Sequence, residues 1–493
     1  MYKSAFLTHC LFSCLLSFLF VAKLAAQDNT LTADWNKINS VSKTTATLQV
    51  VENPMLRPGS PIHTNTFKAL KDLGADYVRY VPWFPYPKMV VAELKPPTAT
   101  ATYWDFTYPD STMDAIMKAT EGHSVVINFS TIPAWMWKTA APVPYPEDAC
   151  KVSWDYNQGT ILRDSTLKEL AGYYARLVSW YTKGGFTDER GKFHASGHHY
   201  KIAYWEVLNE PDLEHNISAE LYTKMYDAIV GEIKKVSPAV KFVGISLAFN
   251  ARPEYFEYFL NAKNHRPGIP LDAISYHFYG TPSYGKQSIE SYQYTFFDKA
   301  DAFLEKTRFI ESIRKRLSPK TITTVNEIGT IVGSSTGEDI PEGYWNLSGA
   351  MYAYVFLELT KQGIDVAGES QLVGYPTQFP DVSMMDWKNG KPNARYWILK
   401  LLKENFGPGD KLVGTSISGG SIYSQAFITA KGKKILLINP RNEAVTIHLP
   451  AEAQNASVAT VDGSTGENPA AQWQLADLSL TLKPFAVTVL QLK

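Results

Sequence analysis

Two glutamates in this sequence come directly after short apolar runs, and each is preceded by an asparagine. The first is Glu210, which follows residues 204–208, and the second is Glu327, which follows the β-branched residues 321–325. Pro211 cannot donate to a sheet ladder, so the first run is predicted to be a strand that stops at this point. A pair of carboxyl groups can cleave a glycosidic bond. One of them donates a proton to the leaving oxygen, and the other attacks the anomeric carbon or activates a water.

Strand-like and helix-like stretches alternate from about residue 45 to residue 405, and the strands are continuous apolar runs. Such runs are typical of parallel strands that are covered by helices. Eight strand–helix units in this order predict a (β/α)8 TIM barrel, with both glutamates at the carboxyl ends of strands, where barrels place their active sites. The predicted strands are residues 47–51, 76–81, 124–128, 203–208, 241–245, 273–276, 321–325 and 368–373.

The pattern changes after Asn405, where Gly407-Pro408-Gly409 indicates a boundary. From there to the end, short strands alternate with turns and show no helical period. We therefore predict a barrel over residues 27–405 and a C-terminal β-sandwich domain over residues 406–493. The second domain has no cluster that suggests chemistry, so a packing role is favoured over sugar binding.

The N-terminus resembles a secretory signal peptide. Lys3 precedes an apolar run that ends near Ala26, which predicts a signal peptide over residues 1–26, with an uncleaved membrane anchor as the alternative. Cleavage leaves Cys150 as the single cysteine, so no intrachain disulfide is expected. No later run approaches 18 apolar residues, so we expect no membrane contact after cleavage and a secreted or periplasmic location.

Composition excludes some classes of partner and leaves others open. The chain has 48 basic and 48 acidic residues, so its net charge gives no attraction to nucleic acid. The pair His198-His199 has no accompanying ligand spacing, and we predict no metal site and no cofactor. The expected partner is an oligosaccharide or polysaccharide substrate. No motif indicates the oligomeric state.

A long connection, residues 131–164, follows the third predicted strand and is rich in proline, tryptophan and tyrosine. Long ordered loops are uncommon unless they are functional. We therefore predict that this loop forms part of the wall of the substrate cleft and that Trp135 contacts the substrate.

Several stretches together resemble a known family. Residues 204–212, Tyr-Trp-Glu-Val-Leu-Asn-Glu-Pro-Asp, look like the acid/base signature of the retaining (β/α)8 glycosidases that carry catalytic glutamates on strands four and seven. Within that clan the chain resembles glycoside hydrolase family 39, the β-xylosidase/α-L-iduronidase family, whose members also carry a β-sandwich. Residues 237–244, 271–279 and 386–392 resemble that family's approach to strand five, its strand six and its passage into the last barrel helix.

The resemblance implies the roles of the two glutamates. Glu210 would be the general acid/base and Glu327 the nucleophile of a double displacement that keeps the anomeric configuration. We expect a raised pKa for Glu210 and a low pKa for Glu327.

The resemblance also implies which residues surround the sugar. Asn209 would bond the sugar 2-hydroxyl, and Arg79 would hold Glu327 ionised through a charge-assisted hydrogen bond. His277 and Tyr279 would line the same subsite, with Tyr279 touching the nucleophile. Two alternatives stay open, because Arg79 could be a structural ion-pair partner and His277 a core histidine.

The sequence departs from the family on strand eight, where Glu369, Ser370 and Gln371 stand in place of a tryptophan platform. Glu369 could contact an extra substrate hydroxyl, or it could be a salt-bridge partner. The favoured function is a secreted retaining glycoside hydrolase, an exo-acting β-glycosidase that is β-xylosidase-like. An endo-acting glycanase of a sibling family and a non-catalytic glycan-binding barrel are the alternatives.

Overall fold

The computed structural model describes residues 29–154, 159–283, 285–420 and 422–493. The predicted signal peptide, residues 1–26, lies outside the described residues. Within the described residues, every helix is too short or too polar to span a lipid bilayer.

The elements follow the predicted alternation and then change to an all-β pattern. The helices are α1 His63–Leu73, α2 Pro87–Val90, α3 Thr107–Ala119, α4 Lys168–Lys183, α5 Pro211–Glu214, α6 Ala219–Val236, α7 Pro253–Phe259, α8 Ile289–Leu317, α9 Tyr344–Gln362 and α10 Ala394–Asn405. The strands are β1 Asn29–Val41, β2 Thr45–Val51, β3 Val78–Val81, β4 Val125–Ile127, β5 Gly185–Thr187, β6 Phe193–Ala195, β7 Tyr204–Glu206, β8 Lys241–Leu247, β9 Ala273–Gly280, β10 Ile322–Thr330, β11 Val366–Glu369, β12 Lys411–Ile417, β13 Tyr423–Thr429, β14 Gly432–Ile438, β15 Val445–His448, β16 Ser457–Val461, β17 Ala471–Gln474, β18 Ser479–Leu482 and β19 Val487–Gln491.

Eight parallel strands close into a barrel in chain order, namely β2, β3, β4, β7, β8, β9, β10 and β11. The predicted TIM barrel is thus confirmed, and each predicted barrel strand overlaps an observed one. The bounds differ most at the seventh barrel strand, β10, which continues through Glu327 to Thr330. Its pairing with β9 shifts register between Val325 and Glu327, so Glu327 lies at an irregularity inside the strand.

The remaining large sheet has nine strands in the order β17, β16, β19, β14, β13, β12, β1, β15 and β18. β1 takes part in both leaves of this sandwich, because it runs antiparallel to β12 and pairs with β15 at Asn29 and Thr30. The predicted domain boundary is therefore wrong at the N-terminal end, since residues 29–41 belong with the C-terminal sheet. The sequence of β1 does not indicate a strand of the sandwich core, because most of its side chains are exposed and Leu31 is the buried one.

A buried carboxylate lies in the interior of the barrel. Glu206 is fully buried and accepts hydrogen bonds from Arg79 Nε, Asn128 Nδ2 at 2.7 Å, Ser275 Oγ at 2.5 Å and Asn326 Nδ2 at 2.8 Å. These four donors come from the second, third, sixth and seventh barrel strands or the residue just after them. The network thereby joins opposite sides of the barrel immediately below the strand ends.

We expect Glu206→Ala to lower the free energy of unfolding by about 3–5 kcal/mol, because it leaves several buried donors without their acceptor. The matched control is Glu257→Ala, which removes an exposed carboxylate paired with Arg316 and should cost less than about 1 kcal/mol. Denaturant unfolding followed by fluorescence measures both. Equal costs would contradict a structural role for Glu206.

The placement of β1 gives a second stability test. Leu31 is 1 % exposed and packs in the core of the sandwich, whereas Ile38 on the same strand is 50 % exposed. Leu31→Ala should lower the free energy of unfolding by about 2–5 kcal/mol. Ile38→Ala should change it by no more than about 0.5 kcal/mol. If Leu31→Ala were as mild as its control in thermal and denaturant unfolding, β1 would not be part of that core.

Candidate active site

A cavity of about 840 Å³ opens at the carboxyl ends of the barrel strands. Its walls come from residues on β2, β3, β9 and β10 and from the segments that follow β3, β4, β7, β8, β9, β10 and β11. Of the residues predicted for the site, Asn209, Glu210, His277, Tyr279 and Glu327 line it.

Glu327 is held by three neighbours. Arg79 Nη1 donates to Oε1 at 2.6 Å, Tyr279 Oη donates to Oε2 at 2.6 Å, and His277 Nε2 lies 3.5 Å from Oε1. Burial by itself raises the pKa of Glu327. The charges of His277 and Arg79, with the hydrogen bonds from Tyr279 and Arg79, outweigh it, so the pKa is lowered overall. Glu327 is therefore a carboxylate kept ionised in a buried place.

Glu210 occupies a different environment. Its backbone is left-handed, with φ 41° and ψ 51°, at the residue before Pro211 begins the short helix α5. A hydrogen bond of 2.7 Å joins its Oε1 to His277 Nδ1. Burial raises the pKa of Glu210, the negative charge of Glu327 adds to that effect, and His277 opposes it only in part. The expected contrast between the two glutamates is thus present, with a raised pKa at Glu210 and a lowered one at Glu327.

The two carboxyl groups converge with His277 between them. One ligand atom from each of Glu210, His277 and Glu327 lies within 4.8 Å of the others, a spacing that a metal ion could also bridge. The charge of Arg79, in direct contact with Glu327, disfavours a cation there. The arrangement suits proton transfer and nucleophilic attack at one bond better than metal binding.

Arg79 joins the site to the barrel interior. Besides Glu206 and Glu327, it donates from Nη1 to Gln49 Oε1 at 2.5 Å and from Nη2 to Asn209 Oδ1 at 2.7 Å. Both interpretations of Arg79 from the sequence therefore apply, since it forms a structural ion pair with Glu206 and fixes the site carboxylate. His277 likewise is both buried in the core and in direct contact with Glu210.

A third carboxyl group, Glu214, lines the cavity and was not predicted. Its Oε1 accepts from Asn209 Nδ2 at 2.8 Å and from Trp83 Nε1 at 2.7 Å. Burial, with Glu210 nearby, raises the pKa of Glu214 well above its usual range. The sequence could have indicated Glu214 through its position one helical turn after Glu210, which puts both side chains near the same cavity.

Two predicted substrate contacts lie outside the cavity. Glu369 is fully buried and pairs with Arg395 Nε at 2.9 Å, so the salt-bridge alternative is the one the structure supports. Trp135 donates from Nε1 to the carbonyl of Glu93 at 2.7 Å and stacks under Arg163, away from the cavity lining. Both side chains are engaged by the protein rather than presented to a substrate.

The long loop after the third barrel strand contributes Trp154, Gly159 and Thr160 to the cavity instead of Trp135. Trp154 packs edge-on against Trp83 at 5.4 Å, and Phe379 stacks on Trp83 at 6.2 Å. The prediction that this loop forms part of the wall is therefore supported through a different tryptophan. The further lining or supporting residues that sequence analysis missed include Gln49, Trp83, Phe84, Ser246, Gln371 and Phe379.

Two segments of the chain match family models. Residues 197–325 match Glycosyl hydrolases family 39, a span that includes Glu210 and ends just before Glu327. Residues 421–490 match the D-apionate lactonase, C-terminal immunoglobulin-like domain. No curated protein is similar enough to match this chain.

Solved structures share the fold over nearly the whole chain. The GH51 arabinofuranosidase from Xanthomonas axonopodis pv. citri has a TM-score of 0.65 at 12% identity and covers 95% of this chain and 100% of its own. A monomeric beta-xylosidase from Caulobacter crescentus CB15 has a TM-score of 0.59 at 14% identity, covering 94% and 98%. A GH30 endoxylanase from Clostridium papyrosolvens C71 has a TM-score of 0.58 at 14% identity, covering 94% and 99%.

These structures establish the barrel with its appended β-domain, and the family match over residues 197–325 adds the segment that carries Glu210. The resemblance to glycoside hydrolase family 39 that the sequence predicts is thereby confirmed, and the chain is a glycoside hydrolase.

Proposed function

We propose that this chain is an exo-acting retaining β-glycosidase, β-xylosidase-like in its choice of sugar, with Glu327 as nucleophile and Glu210 as acid/base. The main support for this proposal is the distance between the two carboxyl groups, since an oxygen of Glu210 lies within 4.8 Å of an oxygen of Glu327. Retaining enzymes hold their carboxyl groups about 5–5.5 Å apart, whereas inverting enzymes need about 6.5–9.5 Å to admit a water.

In the first step, a carboxylate oxygen of Glu327 attacks the anomeric carbon while Glu210 gives its proton to the leaving oxygen. The bond between that oxygen and the anomeric carbon breaks, and an ester joins the sugar to Glu327. In the second step, Glu210 takes a proton from a water whose oxygen attacks the anomeric carbon, and Glu327 leaves as the carboxylate. Two inversions at one carbon keep the configuration.

The neighbours of the pair support these steps. Arg79 and Tyr279 stabilise the negative charge on Glu327 that the attack needs and that the second step regenerates. The amide of Asn209 is fixed at both ends by Arg79 and Glu214, which leaves one amide hydrogen to donate to the sugar 2-hydroxyl. His277 lies 2.7 Å from Glu210 and 3.5 Å from Glu327, so its hydrogen bonds can adjust when Glu210 gives or takes a proton.

Exo action is favoured by the aromatic wall. Trp83, Trp154 and Phe379 contact one another across loops that follow three different strands, and all three line the cavity, where such a wall can limit the length of the bound chain. The choice of β-xylose rests on the resemblance to family 39 and on the β-xylosidase among the similar folds.

The apolar N-terminal run of the sequence supports export of the enzyme to the periplasm or the exterior, where terminal sugars of oligosaccharides would be its substrates.

A panel of aryl glycosides tests the function and the sugar together. It contains the β-xyloside, β-glucoside, β-galactoside, α-L-arabinoside and α-L-iduronide, and NMR identifies the anomer released first. We expect hydrolysis with retention, the β-xyloside being the best substrate. Glu327→Ala should lower kcat/KM by about 10⁴-fold or more, because it removes the group that forms the intermediate. Glu257→Ala is the matched control and should leave the rate unchanged.

Adding azide as an external nucleophile to the two alanine variants then distinguishes the nucleophile from the acid/base. With Glu327→Ala it should yield the glycosyl azide of inverted configuration, and with Glu210→Ala the azide of retained configuration. Cleavage of xylan without action on any aryl glycoside would favour an endo-acting glycanase. Opening of a sugar lactone with no glycoside cleaved would contradict a glycosidase. Binding of xylan without any turnover would indicate a non-catalytic barrel.

The pH dependence of kcat/KM should be bell-shaped. Activity should rise with pH as Glu327 ionises, below the ordinary glutamate range because its pKa is lowered. It should fall again as Glu210 loses its proton, above the ordinary glutamate range, because burial and the charge of Glu327 raise the pKa of Glu210. Glu210→Gln should lose the upper limb and keep the lower one on a dinitrophenyl glycoside, whose leaving group needs no proton. A variant that kept both limbs would contradict the assignment of Glu210.

A further inference from the structure

The side of the cavity next to Glu210 is apolar and open to solvent. It is formed by Leu213 on α5 and by Ala248, Phe249 and Ala251 after β8, a set that we call the leaving-group rim. Leu213 is 55 % exposed and Phe249 is 53 % exposed. Since Glu210 gives its proton to the leaving oxygen in the function proposed above, the group attached to that oxygen must lie against this rim.

The rim is fixed in place relative to the acid. Asp212 is buried, and its two carboxylate oxygens accept from the backbone amides of Ala248 at 3.0 Å and of Phe249 at 3.3 Å. The backbone amide of Glu210 in turn donates to the carbonyl of Ser246 at 2.9 Å. These bonds tie the segment after β8 to the turn that carries Glu210 and Leu213. The exposed apolar side chains therefore belong to a positioned surface.

Two polar side chains that line the cavity beside the rim each use one hydrogen-bonding group on the protein. Asn250 Nδ2 donates to the carbonyl of Phe303 at 3.3 Å, and Thr281 Oγ1 accepts from Lys299 Nζ at 3.1 Å. Lys306 also lines this side, and its methylene stem can cover apolar surface while the ammonium group reaches solvent. A second sugar at this place would have several hydroxyls to satisfy, and the four side chains of the rim itself are apolar.

Exposed apolar surface is concentrated at this cavity. Among the described residues, twelve large apolar side chains are exposed, and four of them line it: Trp154, Leu213, Phe249 and Phe379. A contiguous exposed apolar surface on a soluble protein commonly marks a binding site. Leucine and alanine side chains gain free energy from covering apolar groups, and a phenylalanine ring adds offset or edge contacts with another ring.

We propose that the leaving-group rim binds an apolar aglycone that carries a ring, so that this enzyme hydrolyses glycosides of aromatic alcohols in preference to glycosides of a second sugar. The inference rests on the proposed function, because it assigns the leaving group of that same reaction. It adds the chemical class of the substrate on the far side of the scissile bond.

The test compares ethyl and 2-phenylethyl leaving groups, which have similar acidity, so that binding and not intrinsic reactivity decides between them. The probes are the ethyl and 2-phenylethyl β-glycosides of the sugar that the panel identifies, β-D-xylose being the expected one, and the matching β-1,4-linked disaccharide. We expect kcat/KM for the phenylethyl glycoside to exceed that for the ethyl glycoside by about tenfold or more, from burial of the phenyl group. It should also exceed that for the disaccharide.

Phe249→Ala and Leu213→Ala should each reduce this preference at least threefold, and together abolish it, because kcat/KM for the phenylethyl glycoside falls more than kcat/KM for the ethyl glycoside. Phe193→Ala is the matched control, because Phe193 is 61 % exposed but lies outside the cavity lining. Equal rates on the ethyl and phenylethyl glycosides, or a disaccharide preferred in wild type and variants alike, would overturn the aglycone inference and leave the glycosidase intact. If the enzyme hydrolysed none of the three probes and no member of the panel, both the aglycone inference and the proposed glycosidase function would be overturned.

Discussion

The guanidinium of Arg79 is shared between two buried carboxylates, and the chemistry of the site depends on this sharing. Its Nε pairs with Glu206 inside the barrel, and its Nη1 pairs with Glu327 at the cavity. Burial raises the pKa of both Glu210 and Glu327, so desolvation alone would make them alike. Direct contact with the guanidinium of Arg79 is made by Glu327 and not by Glu210. This contact distinguishes the two carboxyl groups in the way that the proposed roles of nucleophile and acid require.

The turn after the fourth barrel strand places several side chains of the site within six residues, 209–214. Asn209 links Arg79 to Glu214, Glu210 turns through a left-handed backbone, and Pro211 starts the helical turn that returns Glu214 to the same cavity. Asp212 attaches that turn to the segment after β8. The position of each side chain therefore depends on the others. The order of residue types in this motif reflects the geometry of a single turn as well as the roles of its members.

Pattern in the sequence was sufficient to predict the barrel and the positions of Glu210 and Glu327 at its cavity, because both depend on local features. Eight apolar runs predicted eight strands, and an asparagine–glutamate pair at a strand end predicted where each carboxyl would lie. Partners that come from distant parts of the chain left no such pattern. The mostly exposed strand β1 joins the C-terminal sheet, Glu369 meets Arg395, and Trp154 rather than Trp135 reaches the cavity. Each of these outcomes is decided by packing between segments that sequence spacing does not relate.

The closeness of the two glutamates, within 4.8 Å of each other, also provides the change of role that the second half of the proposed reaction needs. The negative charge of Glu327 is one of the causes that raise the pKa of Glu210. When Glu327 becomes an ester in the glycosyl-enzyme, that charge is lost, and the pKa of Glu210 must fall. His277 loses one of the carboxylates that raise its own pKa and stays bonded to the other. In the proposed reaction, Glu210 thus gives its proton while Glu327 is charged and becomes a base once Glu327 is neutral, so the transfer of the sugar itself converts the acid into a base.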